Sequence, residues 1–112
     1  MAIYRFSVPQ SAKAGQTRSI SVDINNATYP VPVDVYLYKS MVGGWQWIGT
    51  LRQNVPVRPS NRTTRFEFSY TFTQEDAQLG RINFRAEALI VNGRDAIPAN
   101  NEAISLPTKV SH

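Results

Sequence analysis

Apolar and polar residues alternate along this chain with a period of two. Ile20, Val22 and Ile24 occupy alternate positions in one segment. Because successive side chains of a strand point to opposite faces of a sheet, this alternation predicts strands with one buried and one solvated face. The same pattern recurs in residues 31–38, 65–72 and 81–91. The chain is therefore expected to be all-β.

Turn-forming residues separate the alternating segments. The intervening stretches are enriched in Gly, Pro, Asn and Asp, which turns require. Thr73 and Gly80 bracket a stretch that suits one helical turn. About seven strands in a chain of 112 residues predict an immunoglobulin-like antiparallel two-sheet β-sandwich that forms a single domain over 1–112. We expect the strands near residues 2–8, 17–25, 31–39, 45–51, 63–72, 81–91 and 102–110.

The composition restricts the classes of protein to consider. Hydrophobic residues make up 42% of the chain and charged residues 18%, as in a folded globular domain. No apolar run approaches the roughly 20 residues of a membrane span. The first ten residues lack the basic start and apolar run of a secretory signal, so we expect no export by that route if Met1 is the natural start.

Catalysis and specific nucleic-acid binding are not expected. The chain has no cysteine, and His112 is its only histidine, so no serine or cysteine nucleophile has a histidine base within the core. The net charge is +4, but the nine arginines are scattered rather than clustered in a basic stripe. We predict neither enzymatic activity nor a cofactor.

A polar turn before the last strand raises the question of a metal site. Asp95, Asn100, Asn101 and Glu102 supply oxygen atoms of the kind that calcium binds. Calcium takes six to eight oxygen ligands, and here the two carboxylates are seven residues apart. A corner in which these side chains bond to the backbone is the favoured interpretation, and calcium binding is the alternative.

Two tryptophans separated by one residue mark a candidate binding surface. Trp45 and Trp47 share one face of a predicted strand, and either one of them anchors the core or both point outward. In the second case they join residues on the outer faces of neighbouring strands, which are Tyr36, Tyr38, Leu89 and Val91. Such a patch is unusual for a monomer. We predict a protein interface there, with a sugar-binding platform as the alternative.

Three segments resemble the cell-adhesion-related domain found in bacteria, an immunoglobulin-like module of surface proteins. They are SAKAGQTRSISVDINN near the start, DAQLGRINFRAEA in the second half, and NGRDAIPANNEAISLP before the last strand. The resemblance implies a sandwich fold and a role as a spacer, adhesive unit or assembly part. It implies no catalytic residues.

Two functions follow from these observations. The leading hypothesis is a non-catalytic decoration, cement or accessory subunit of a phage-like particle, located in the virion and bound to capsid or tail subunits or to itself. Contacts would use sheet edges and the aromatic face. The alternative is an adhesion or carbohydrate-binding module of a bacterial cell-surface or secreted protein, with a glycan as a further candidate partner.

Overall fold

The computed structural model describes residues 2–26, 29–58, 62–91 and 101–112. Within these ranges the chain forms ten strands and one short helix. The elements are β1 (Ala2–Ser7), β2 (Ser11–Lys13), β3 (Thr17–Asn25), β4 (Val31–Met41), β5 (Gly44–Val55), β6 (Thr64–Thr71), α1 (Gln74–Leu79), β7 (Arg81–Ile82), β8 (Phe84–Ile90), β9 (Glu102–Ile104) and β10 (Thr108–Ser111).

The strands form an all-β sandwich, as the alternation predicts. Their hydrogen-bonded orders are β1-β3-β6, β2-β10-β7 and β5-β4-β8-β9. The inward side chains of these sheets form one hydrophobic core, which includes Ile20, Val22, Val35, Leu37, Phe66, Phe84 and Ala86. Each of these seven is at most 1% exposed. The predicted inward faces are therefore confirmed.

Two of the predicted strands are each divided between two sheets. The segment near 81–91 is split at Asn83, whose backbone N–H donates to the Ser40 hydroxyl at 2.8 Å and whose side chain donates to the carbonyl of Ser105 at 2.9 Å. The segment 102–110 divides into β9 and β10, and Pro107 between them has no N–H to continue a ladder. The predicted strand 2–8 corresponds to β1 alone, whereas β2 forms at Ser11–Lys13, in a stretch that was predicted to be a turn. The two divisions and this additional strand turn the expected seven strands into ten.

One strand pair differs from the antiparallel pairing of the other strands in the sandwich. β2 and β10 run parallel, with Ser11 opposite Lys109 and Lys13 opposite Ser111. A further bond from the N–H of Ala14 to the carbonyl of Ser111, at 2.8 Å, extends this pairing. The two ends of the described chain are thereby joined.

β5 is longer than the predicted strand 45–51, and a bulge interrupts its alternation. Gly49 pairs with Leu37 and Trp47 pairs with Tyr38, so Ile48 is an extra residue in β5. A bulge reverses the inward and outward positions of the residues on its two sides. Regular pairing with β4 resumes from Gly49 and continues to Val55.

Helix α1 has defined caps at both ends. Thr73 accepts a hydrogen bond from the Asp76 N–H, and the Asp76 carboxylate accepts one from the Thr73 N–H in return. This reciprocal capping box satisfies two backbone donors at the helix start. Gly80 ends the helix with a φ of 78°, a left-handed conformation that glycine adopts without the Cβ strain of other residues. The predicted helical turn is confirmed.

Candidate functional site

Both tryptophans lie at the protein surface, which answers the question that the sequence leaves open. Trp45 is paired with Ser40 and Trp47 with Tyr38, and directly opposite residues share a face. The exposed fractions are 40% for Trp45 and 58% for Trp47. The core is filled instead by phenylalanine and aliphatic side chains.

The six predicted binding residues belong to the outer face of the sheet β5-β4-β8-β9. The pairing places Tyr36 opposite Glu87 and Leu89 opposite Asp34, and the Val91 N–H donates to the Pro32 carbonyl at 3.0 Å. We call this surface the aromatic face, and it consists of Tyr36, Tyr38, Trp45, Trp47, Leu89 and Val91. The structure brings these residues onto one side of the sheet.

The centre of the aromatic face is a row that crosses all four strands. Trp47 lies opposite Tyr38, Tyr38 opposite Arg85, and Arg85 opposite Ile104. The Arg85 guanidinium carbon lies 5.1 Å from the centroid of the Tyr38 ring, within the range of a cation–π interaction. Ile104 is 58% exposed and extends the row to the far strand. Sequence reasoning did not include Ile104, because β9 is too short to show a period.

Two groups of ion pairs border this row. Arg52 donates to both carboxylate oxygens of Asp34, at 2.7 and 2.9 Å, and this hydrogen bonding lowers the pKa of Asp34 below its usual value. Arg85 bonds to Glu102 and lies 3.6 Å from Glu87. The hydrogen bond from Arg85 lowers the pKa of Glu102. The charges on this face are therefore mostly compensated within the protein.

Hydrogen bonding within the face also occupies the Trp47 ring nitrogen. Its Nε1–H donates to the Thr50 hydroxyl at 2.9 Å. Burial, followed by the nearby negative charge of Glu87, raises the pKa of the Tyr38 hydroxyl, so this group is neutral at physiological pH. Apart from the Arg85 guanidinium, the surface that the row offers to a partner is consequently aromatic and aliphatic.

A buried ionic cluster lies on the inner side of β4, next to Tyr38 in the chain, and was not predicted from the sequence. The Lys39 Nζ donates to the Tyr70 hydroxyl and to Asp76 Oδ1, each at 2.9 Å. The Tyr70 hydroxyl donates to Asp76 Oδ2. The side chains of Lys39 and Asp76 are 6% and 1% exposed. The alternation of apolar residues could have indicated a buried lysine, because Lys39 takes the inward position that follows Val33, Val35 and Leu37.

The groups of this cluster stabilise one another in defined protonation states. Hydrogen bonds from Tyr70 and Lys39 outweigh burial and lower the pKa of Asp76. Hydrogen bonds to Tyr70 and Asp76 likewise raise the pKa of Lys39 against the effect of burial. Burial and the bond to Asp76 raise the pKa of Tyr70 to about 12. The cluster joins β4, β6 and α1 as a buried ion pair.

Tyr70 of this cluster also packs against the aromatic part of the core. Phe84 is fully buried, and its ring meets Phe72 edge-on, with centroids 6.1 Å apart. The Tyr70 ring lies edge-on to both, at 4.9 Å from Phe72 and 5.6 Å from Phe84.

The candidate metal turn lies largely outside the described residues. Asp95 and Asn100 belong to the part of the chain that is not described, and Asn101 is buried. Glu102 is paired with Arg85. Among the described residues, no group of three or more His, Cys, Asp or Glu side chains is arranged to hold a metal ion. Nor does any helix in these ranges have the length and apolar character needed to cross a membrane.

Comparison of the structure with solved structures identifies a protein of the same fold. The CARDB domain of a protein from Pyrococcus furiosus, crystallised in complex with di-metal ions, is similar with a TM-score of 0.69 and 18% sequence identity. The similarity covers 94% of this chain and 83% of that one. No protein-family model and no curated protein matches the sequence.

The structural similarity confirms the predicted resemblance to the cell-adhesion-related domain at the level of fold. It agrees with the alternative function, a cell-adhesion-related sandwich, better than with the leading hypothesis. It gives no support to a phage-like particle or a place in a virion. The extent of the domain over 1–112 stays a prediction. The chain has the fold of a cell-adhesion-related β-sandwich domain.

Proposed function

We propose that this chain is a non-catalytic recognition module of an adhesion-type protein, located outside the cell or at its surface. In this proposal it binds another protein through the aromatic face. The observation that carries the proposal is the row of Trp47, Tyr38 and Arg85 at the surface of an otherwise well-packed sandwich. The fold of an adhesion-related domain supports the same class of function.

The residue types of the row favour a protein partner. Trp, Tyr and Arg are the residues that most often dominate the binding energy of protein interfaces. Trp47 is 58% exposed and stands on a sheet rather than on a loop. A rigid backbone fixes its position before binding, which reduces the entropy lost on association.

The bonding pattern of the polar groups separates this proposal from sugar binding. Sugar recognition needs donors and acceptors that are free to bond hydroxyl groups beside the aromatic rings. Here the Trp47 N–H donates to Thr50, and both oxygens of Asp34 accept from Arg52. Groups that are already bonded within the protein favour a partner that buries apolar area.

The proposal of a non-catalytic module is supported by the bonding of two sets of reactive side chains in the described part of the chain. The imidazole Nδ1 of His112 lies 3.1 Å from the Gln74 side-chain oxygen at an exposed position. Lys39, Tyr70 and Asp76 bond to one another below the surface. Neither place presents a nucleophile and a base to a substrate.

The test is a binding comparison between Trp47→Ala and Tyr4→Ala. Tyr4 is a matched control because it is 53% exposed on β1, in a different sheet. Each variant is immobilised, and the proteins retained from a cell-surface extract of the source cells are quantified by mass spectrometry. The affinity of each retained protein is then measured with purified components.

We expect Trp47→Ala to weaken binding of the specific partner by about 30-fold, as the loss of a hot-spot residue does. Tyr4→Ala should leave the affinity unchanged. Equal retention by both variants would refute the assignment of the aromatic face. A change in tryptophan fluorescence with polysaccharides on a glycan panel, without a protein partner, would establish the sugar-binding alternative instead.

A further inference from the structure

The β4–β5 hairpin extends beyond its neighbour in the sheet. β4 pairs with β8 only as far as Lys39, which lies opposite Phe84. Pairing between β4 and β5 continues to Met41 and Gly44. We call residues 41–44 the hairpin tip. Among the described residues, no strand outside the hairpin pairs with the tip.

The hairpin tip is apolar and exposed. Val42 is 79% exposed and Met41 is 45% exposed. The twelve residues from 40 to 51 contain no Asp, Glu, Lys or Arg, which is the longest uncharged run in the chain. Aliphatic side chains at a turn are uncommon, because turns are normally formed by small and polar residues.

Helix α1 adds a third apolar side chain beside the tip. Met41, Val42 and Leu79 line a groove of about 310 Å³ together with Glu75 and Gln78. Leu79 is 44% exposed. The buried pair of Lys39 and Asp76 fixes this arrangement, because it ties β4 to α1 directly below the groove.

The backbone of the tip forms a short, closed turn. Met41 and Gly44 pair across the hairpin, which leaves only Val42 and Gly43 between the two strands. Gly43 has a φ of 91°, which allows the turn to close tightly. A closed hairpin of this kind can enter an apolar phase at a smaller desolvation cost than an open loop.

The shape and surroundings of the tip favour lipid over a protein. A narrow, convex tip buries little area against the flat surface of a protein, whereas a fluid bilayer closes around it. Trp45, 40% exposed on the stem, has the amphipathic ring that is enriched at the boundary between lipid and water. The net charge of +4 favours association with an anionic surface.

We propose that the hairpin tip inserts into the surface of an anionic lipid membrane. Val42 and Met41 enter the acyl region, Leu79 follows them, and Trp45 lies at the level of the headgroups. This inference goes beyond the proposed function, because Tyr36, Tyr38 and Leu89 of the aromatic face remain outside the membrane and available to a protein partner.

The test is flotation of the purified chain with lipid vesicles in a density gradient. One set of vesicles is phosphatidylcholine alone, and the other is an equal mixture of phosphatidylcholine and phosphatidylglycerol. We expect binding to the mixed vesicles and much weaker binding to the neutral ones. Val42→Asp should weaken binding about tenfold or more, since it removes an apolar side chain from the acyl region of the membrane and adds a charge there.

Two further variants serve as controls. Leu106→Asp makes the same type of change at the most exposed large apolar side chain among the described residues, which is 83% exposed and follows β9, the strand at the opposite edge of the sheet from β5, and it should leave vesicle binding intact. Glu75→Gln removes the carboxylate on the rim of the groove, and it should strengthen binding to the anionic vesicles.

Fluorescence locates the inserted residue, because the chain has only two tryptophans. Trp47→Phe leaves Trp45 as the reporter of the stem, and Trp45→Phe leaves Trp47, two residues or about 7 Å further from the tip. On adding anionic vesicles, we expect a larger blue shift for Trp45. A shift of equal size for both would contradict insertion through the tip.

Several results would overturn the inference. These are the absence of flotation with either vesicle, equal binding to neutral and anionic vesicles, and wild-type binding by Val42→Asp. If Val42→Asp converts a dimer into a monomer in size-exclusion light scattering without vesicles, the tip contacts a second copy instead. If Trp47→Ala still binds vesicles but no longer binds the protein partner, membrane insertion and protein binding depend on different parts of the surface.

Discussion

Replacing Lys39 with methionine would leave a carboxylate buried without its cation. Methionine keeps much of the volume and the flexible apolar stem of lysine but has no ammonium group. Asp76 would keep the bonds that Tyr70 and the Thr73 N–H donate to Oδ2, while Oδ1 would lose the Lys39 donor at 2.9 Å. Removing one partner of a buried ion pair costs about 3–5 kcal/mol of unfolding free energy. Because two bonds to Asp76 remain, we expect a loss of about 3 kcal/mol.

Equilibrium denaturation in urea, followed by far-UV circular dichroism at neutral pH, measures this loss. The matched control is Lys109→Met, the same change on β10, where the residue is exposed and forms no ion pair within the described part of the chain. An exposed substitution of this kind changes stability by less than about 0.5 kcal/mol. A loss below about 1 kcal/mol for Lys39→Met would show that water reaches the cluster and would refute the reasoning.

The same cluster predicts how stability depends on pH, and the caps of α1 predict two further changes. Since the pKa of Asp76 is lowered in the folded protein, its contribution is present above the unfolded value of 3.8 and disappears as the pH falls through the lower folded value. The pKa of Tyr70 is raised from 10.0 to about 12, so its contribution is complete below pH 10 and is lost on approaching pH 12. The melting temperature should therefore fall at both acidic and alkaline pH. A melting temperature that stays constant between pH 10 and pH 12 would contradict the raised pKa of Tyr70. Thr73→Ala should cost about 1 kcal/mol in urea denaturation, because it removes the N-cap acceptor; a neutral result would mean that the cap is not formed in solution. Gly80→Ala should cost about 1–2 kcal/mol in the same assay, because alanine is strained at a φ of 78°; unchanged stability would contradict the left-handed cap.

The alternation of the sequence predicted the layers of the sandwich because the period of two depends on local geometry alone. Ile20, Val22, Val35 and Leu37 are buried as the pattern requires. The same rule placed Lys39 inward, but a lysine at such a position is interpretable only when its partners are known. Asp76 comes from a helix 37 residues away in sequence, and no local pattern links the two.

The orientation of the tryptophans depends on a feature that local patterns do not show. A bulge at Ile48 shifts the register of β5 relative to β4 between Trp47 and Gly49. A strand without the bulge would put Gly49 on the same side as Trp47, and the pattern from Gly49 to Val55 would be reversed. The bulge becomes evident only when the strand is paired. The aromatic face was therefore predicted as one of two outcomes rather than as a fact.

The changes of sheet at Asn83 and before Thr108 also depend on long-range bonds. Asn83 donates to Ser40 and Ser105, which belong to different parts of the chain. An uninterrupted apolar alternation from 82 to 90 gave no sign of this break. Of these two changes of sheet, only the second is marked in the sequence, by Pro107, because proline has no N–H to donate to a strand ladder.

The parallel pairing of β2 with β10 has a mechanical consequence. A pull on the two ends of the chain acts first on β1, which pairs with β3, and then draws β2 and β10 in opposite directions along their common axis. The bonds between Ser11–Lys13 and Lys109–Ser111 then bear the load in shear, so they must rupture together rather than one after another. Once β1 is detached, the resistance of the domain to tension therefore resides in this short pairing of β2 with β10.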